Sequence, residues 1–134
     1  IEVLTEDTVL EGIKLIKTKG EHGRGDILEI AGSVCGVVFK HQEEKTLYVA
    51  GDTVWYEEVE KTLHTQKPVV IVVNAGDNQF LEGGSLVMDE EDVLKVHQTA
   101  PDAKIISYTT LFRSEEKGMS DNLLVPDDGV QYSF

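Results

Sequence analysis

Gly12-Ile13-Lys14-Leu15-Ile16-Lys17-Thr18 alternates apolar and polar residues, the two-residue period of a strand with one buried face. Val34-Cys35-Gly36-Val37-Val38-Phe39 is an apolar run, and Leu47-Tyr48-Val49-Ala50 resumes it after the polar stretch 41–45. Two such runs with so short a polar link predict a hairpin. After Asp52 the period changes. Trp55, Val59 and Leu63 recur every fourth residue, with Glu57, Glu58, Glu60 and Lys61 between them, which predicts an amphipathic helix of about three turns. Pro68 opens Val69-Val70-Ile71-Val72-Val73, β-branched throughout and apolar on both faces, as a parallel strand covered on both sides should be.

Asp89-Glu90-Glu91-Asp92 puts acids where a helix N-terminus favours them. Val93, Val96 and Ala100 continue as the buried stripe, and Pro101 stops the helix. Lys104-Ile105-Ile106-Ser107 predicts a short strand, and Asn122-Leu123-Leu124-Val125 a last one before the turn Pro126-Asp127-Asp128-Gly129. From Leu47 to Ser107 the order is strand, helix, strand, helix, strand. That is two βαβ units, whose crossovers should be right-handed, placed after an antiparallel opening. The expectation is α/β: a mixed sheet with covering helices, forming one domain or part of one over 1–134.

The 134 residues are 40% hydrophobic, enough for one modest core. No apolar run approaches the ~20 residues of a membrane helix. The opening residues lack the basic start of a signal peptide and an initiator Met, so the natural N-terminus is expected to lie elsewhere. A single cysteine, Cys35, excludes an internal disulfide and makes a cytoplasmic setting the simplest expectation. Its apolar strand predicts a small core residue. The net charge of −13 lacks the basic footprint that nucleic acid requires, and equally disfavours anionic lipid. Neither nucleic acid nor membrane is an expected partner.

Gly51-Asp52-Thr53 closes the second hairpin run, and open α/β sheets build their sites at such strand ends. Asp52 has two readings. One is an N-cap for the helix that follows; the other is a metal ligand, or a carboxylate holding a nucleophilic water, suited to Zn²⁺, Mn²⁺ or Fe²⁺. His22 lies in Lys19-Gly20-Glu21-His22-Gly23-Arg24-Gly25. It reads either as a solvated loop histidine or as a ligand whose flanking glycines permit unusual backbone angles. His41, His64 and His97 have no partner at ligand spacing. Glu82-Gly83-Gly84-Ser85 lacks the Lys-Ser/Thr of a phosphate loop. Asn74-Ala75-Gly76-Asp77 reads as a turn, with lining of the Asp52 crevice as the second option.

The succession Gly-Glu-His22-Gly, hairpin, Leu-Tyr-Val-Ala-Gly-Asp52-Thr, helix, Val-Val-Ile-Val-Val-Asn74-Ala-Gly resembles the metallo-β-lactamase superfamily. Within it, the likeness is to the branch that includes the L-ascorbate-6-phosphate lactonases. The resemblance implies an αβ/βα sandwich whose loops place histidines and aspartates around one or two metal ions. It also implies metal-activated water attacking a lactone, ester, amide or phosphodiester of a small-molecule substrate. By the match, His22 is a metal ligand, and Asp52 is the catalytic carboxylate that can bridge two ions, Zn²⁺ or Mn²⁺; no substrate-binding residue is identified.

The family's His-x-His-x-Asp-His motif is absent, so the chain resembles the carboxyl-terminal half of such a domain. The family's last ligand is a histidine soon after the strand equivalent to 104–107; here Tyr108-Thr109-Thr110-Leu111-Phe112-Arg113-Ser114 follows. That heptapeptide is also the first-frame translation of a common sequencing-library adapter, TACACGACGCTCTTCCGATCT, so 108–114 reads as an artefactual replacement. The expectation is then a hydrolase fragment with weak or absent metal binding and little activity alone. Its half sandwich would expose apolar surface able to self-associate. The alternative is a non-catalytic α/β interaction module. A response-regulator-like domain, with Asp52 as phospho-acceptor, fits the antiparallel opening poorly.

Overall fold

The computed structural model describes residues 4–76, 78, 84–110 and 121–134. Seven strands form one sheet, in which each strand pairs with its neighbours in sequence. They are β1 (Thr8–Leu10), β2 (Ile13–Glu21), β3 (Ser33–Lys40), β4 (Leu47–Val49), β5 (Val70–Ala75), β6 (Lys104–Thr110) and β7 (Leu123–Leu124). The helices are α1 (Ile27–Ala31), α2 (Glu57–Gln66) and α3 (Glu90–Thr99). From β1 to β4 each strand is antiparallel to the next, and β4, β5, β6 and β7 run parallel. The mixed sheet, the hairpin and both βαβ units thus appear as the hydrophobic pattern predicts.

The register explains which residues are buried. Val38, Tyr48, Ile71, Ile105 and Leu123 lie opposite one another across β3 to β7, and all are buried. Val59 and Leu63 of α2 and Val93 and Val96 of α3 cover that row and complete the core. One residue along, Val37, Val49, Val72, Ile106 and Leu124 form a second row on the opposite face. These five are only half-buried. An apolar row of that kind is what a second layer would cover.

Several local expectations are corrected. Cys35 is exposed, because it belongs to the same face as Val37, not to the core face of Val38. Trp55 packs against the core but precedes α2, whose N-cap is the extended Tyr56. The two shortest early elements, β1 and α1, have too few residues to show a period. The Glu82-Gly83 and 111–114 segments lie outside the described residues.

Candidate functional site

Because β2 is antiparallel to β3, and β3 to β4, β2 runs in the same direction as β4, β5 and β6. Four carboxyl-terminal strand ends therefore share one edge of the sheet. His22 follows β2, Asp52 follows β4, Asn74 is the last residue but one of β5 and Tyr108 lies on β6. That edge is where open α/β sheets hold their ligands.

Gly51 makes the turn that delivers Asp52. Its φ is +74°, and a Cβ there would lie 2.6 Å from the carbonyl oxygen of Cys35, so both conformation and space require glycine. Asp52 is exposed. Its Oδ1 accepts a hydrogen bond from Asn74 Nδ2 at 2.9 Å and a longer one from the Tyr108 hydroxyl at 3.4 Å. Asp52 is not the cap of α2, since Tyr56 holds that position four residues later. The capping reading is therefore wrong. The preferred turn reading of Asn74-Ala75-Gly76-Asp77 fails at Asn74 and Ala75, which are strand residues; the Asn74 amide instead lines the Asp52 crevice and holds its carboxylate, while Asp77 lies outside the described residues.

The His22 and Asp52 loops are joined directly. The Glu21 N–H donates to Thr53 Oγ1 at 2.9 Å, and the Val54 N–H to the Glu21 carbonyl at 2.9 Å. Thr53 is fully buried and serves this junction rather than a helix end. His22 itself is half-buried. Sequence reasoning missed the loop anchor: Arg24 Nη2 lies 2.6 Å from Asp92 Oδ2. The sequence shows Asp92 only as a first-turn helix acid, because its partner is 68 residues away, beyond any local pattern.

The Tyr108 phenol is pushed up from its ordinary range, first by burial and then by the Asp52 charge and hydrogen bond, while the Asn74 contact acts in the other direction. At neutral pH it remains a hydroxyl donor facing a carboxylate.

Among the described residues no three His, Cys, Asp or Glu side chains gather as a metal cluster. Asp52 and His22 fit a divalent ion in kind, a hard carboxylate oxygen and an imidazole. The amide of Asn74 on Asp52 is also the sort of outer hydrogen bond that orients a ligating carboxylate. Two donors nevertheless make only part of a coordination shell.

No family model matches the chain. The chain is 57% identical to the UPF0173 protein YddR of Bacillus subtilis over 148 positions, covering all of this chain and 58% of that protein. The matched span therefore holds 14 positions more than this chain has residues. Among solved structures, an isothiocyanate hydrolase from Delia radicum gut bacteria superposes with a TM-score of 0.91 at 33% identity, over 99% of this chain and 59% of that one. A possible metal-dependent hydrolase from Veillonella parvula gives 0.86 at 32% identity, over 96% and 56%. The metallo-β-lactamase fold protein YhfI of Bacillus subtilis gives 0.66 at 8% identity over 93% and 50%, a likeness of fold alone. The chain thus spans rather more than half the length of the relatives it matches.

Proposed function

As the chain belongs to the metallo-β-lactamase-fold superfamily of metal-dependent hydrolases, we propose that it supplies His22 and Asp52 to a hydrolase metal site. The remaining donors would come from sequence outside the described residues. The observation that carries this reading is the shared edge: four co-directional strand ends place the His22 loop, Asp52 and Asn74 together, with Asp52 exposed and held by an amide.

A bound Zn²⁺ or Mn²⁺ would supply an activated water for attack on an electrophilic carbon. This chain's residues do the positioning. Asn74 fixes one oxygen of Asp52. The Glu21–Thr53–Val54 bonds keep the two donor loops adjacent.

The substrate class we favour is a small molecule with such a carbon, a lactone or an isothiocyanate. The first follows the lactonase-like sequence resemblance, and the second is what one 33% identical neighbour is named for hydrolysing. In the polypeptide as it stands the site is incomplete and activity low. The match to the relative is 14 positions longer than this chain, which fits a stretch missing from it; the adapter-like heptapeptide at 108–114 is where we place that loss, together with a further donor. The half-buried row Val37, Val49, Val72, Ile106 and Leu124 is the surface through which the chain would self-associate or take up a second layer. With a net charge of −13, nucleic acid is not among the partners we expect. No described helix is long and apolar enough to cross a membrane.

The test joins this chain to the part of the Bacillus subtilis relative that the match does not cover, and restores the relative's residues at 108–114. Hydrolysis of a lactone or an isothiocyanate with added Zn²⁺ or Mn²⁺ should appear, and His22→Ala and Asp52→Ala should each abolish it. Full activity in both variants would remove these residues from the site.

A further inference from the structure

Asp92 has more connections than a first-turn helix acid needs. Its side chain is 1% exposed. Oδ2 accepts from Arg24 Nη2 at 2.6 Å and from the Trp55 backbone N–H at 3.0 Å, while Oδ1 accepts from Lys95 Nζ at 3.3 Å. A carboxylate buried so deeply persists only with charge and hydrogen-bond partners. What matters is where those partners lie. Arg24 follows His22 by two residues, and Trp55 follows Asp52 by three. A single oxygen on α3 therefore holds both donor loops.

The rest of the loop is built to reach it. Gly23 has φ +91°, and a Cβ there would stand 2.7 Å from Ile27 Cγ2 and 3.4 Å from Leu86 Cδ2. The chain is thus pressed against its neighbours between His22 and Arg24, leaving a short, taut path from the imidazole to the anchored guanidinium. Lys95 differs in kind: it sits on α3 itself, one turn from Asp92, and touches neither loop through this bond.

We propose that Asp92 and Arg24 form a positioning pair that sets the spacing between His22 and Asp52. This rests on the reading of those two residues as donors to one site. Loss of the pair would loosen the two loops, leaving the Glu21–Thr53–Val54 bonds between them, while the sheet beneath them stays folded.

The test is amide hydrogen exchange on the metal-free chain, comparing Arg24→Gln, Arg24→Lys and Lys95→Ala. Arg24→Gln should speed exchange at the inter-loop amides of Glu21 and Val54 by about tenfold, the scale of one lost charge-assisted hydrogen bond. Ile71 in the central strand should not change. Arg24→Lys should retain most of the protection, and Lys95→Ala all of it. Equal effects of Arg24→Gln and Lys95→Ala would show that Asp92 needs only charge balance, and would overturn the assignment. So would protection lost evenly from Glu21, Val54 and Ile71, which would mark Arg24 as a general stabiliser. A parallel titration with Zn²⁺ alone, followed at the His22 ring by NMR, tests the donor reading separately. No zinc-dependent shift in the chain extended and restored with the relative's sequence would count against the donors, whereas the exchange data judge the clamp.

Discussion

Gly51→Ala tests whether the strand exit is built as the geometry says. Alanine at φ +74° must adopt a left-handed conformation, which costs ~1–2 kcal/mol. Its methyl group would also sit 2.6 Å from the Cys35 carbonyl oxygen. That oxygen belongs to β3, where Cys35 is registered against Lys19, so it cannot withdraw without disturbing the β2–β3 ladder. Overpacking of this sort adds ~1–3 kcal/mol. The two terms together predict a loss of about 2–5 kcal/mol, a large share of the ~5–15 kcal/mol that holds a typical domain together. Gly25→Ala is the control, because Gly25 has φ +61° but nothing within 4 Å of its added Cβ; it bears the conformational cost alone. Urea denaturation of both variants measures the difference, with Gly51→Ala lowering the midpoint further by about 1 M or more at an ordinary m-value. In Gly51→Ala the Asn74 side-chain amide signal should also move, since the turn aims its acceptor. Equal midpoints for the two variants would refute the close approach of Cys35 and the argument built on it.

Asp52→Asn should lower the Tyr108 pKa part of the way toward its ordinary value, since it removes the charge but leaves the burial that contributes most. Phenolate absorbance in Asp52→Asn, compared with Asp52→Asn/Tyr108→Phe, reads this; an unchanged Tyr108 titration would contradict the contact. Burial, followed by the Glu21 carboxylate, pushes the Tyr56 phenol up to about 12. Below pH 10 both folded and unfolded chains keep that proton, so stability does not depend on it. Between pH 10 and 12 the unfolded chain releases it first, and stability falls as pH rises. Urea midpoints over that window should therefore decline less steeply in Tyr56→Phe; parallel slopes would count against it. Resequencing the source DNA across codons 108–114 should replace the adapter-like heptapeptide, and an authentic read spanning both flanks would establish it as genuine.

The parallel core was legible because the β-branched run 69–73 and the heptad-like spacing of Val59, Leu63, Val93 and Val96 each carry a local period. Asp52 and His22 were legible because glycines and strand ends are local signals too. Trp55 misled, since four-residue spacing continues a helix on paper, whereas Tyr56 in extended conformation starts it one residue later. Cys35 misled because an unbroken apolar run hides which face each residue takes; only the register of Val37 with Val49 and Val38 with Tyr48 assigns it. The sequence offers Asn74 as lining of the Asp52 crevice, but the Asn74–Asp52 and Arg24–Asp92 bonds themselves were not legible, for a different reason. Each joins residues far apart in sequence, brought together only when the sheet sets its strand order.

Zinc content after exhaustive dialysis tests the central claim most directly. The chain as it stands should retain no stoichiometric zinc, because His22 and Asp52 alone cannot close a four-ligand site. The chain extended and restored with the relative's sequence should retain it, and should lose it on Asp52→Ala. One tightly held zinc per isolated chain, or zinc in the extended protein that survives Asp52→Ala, would contradict the account.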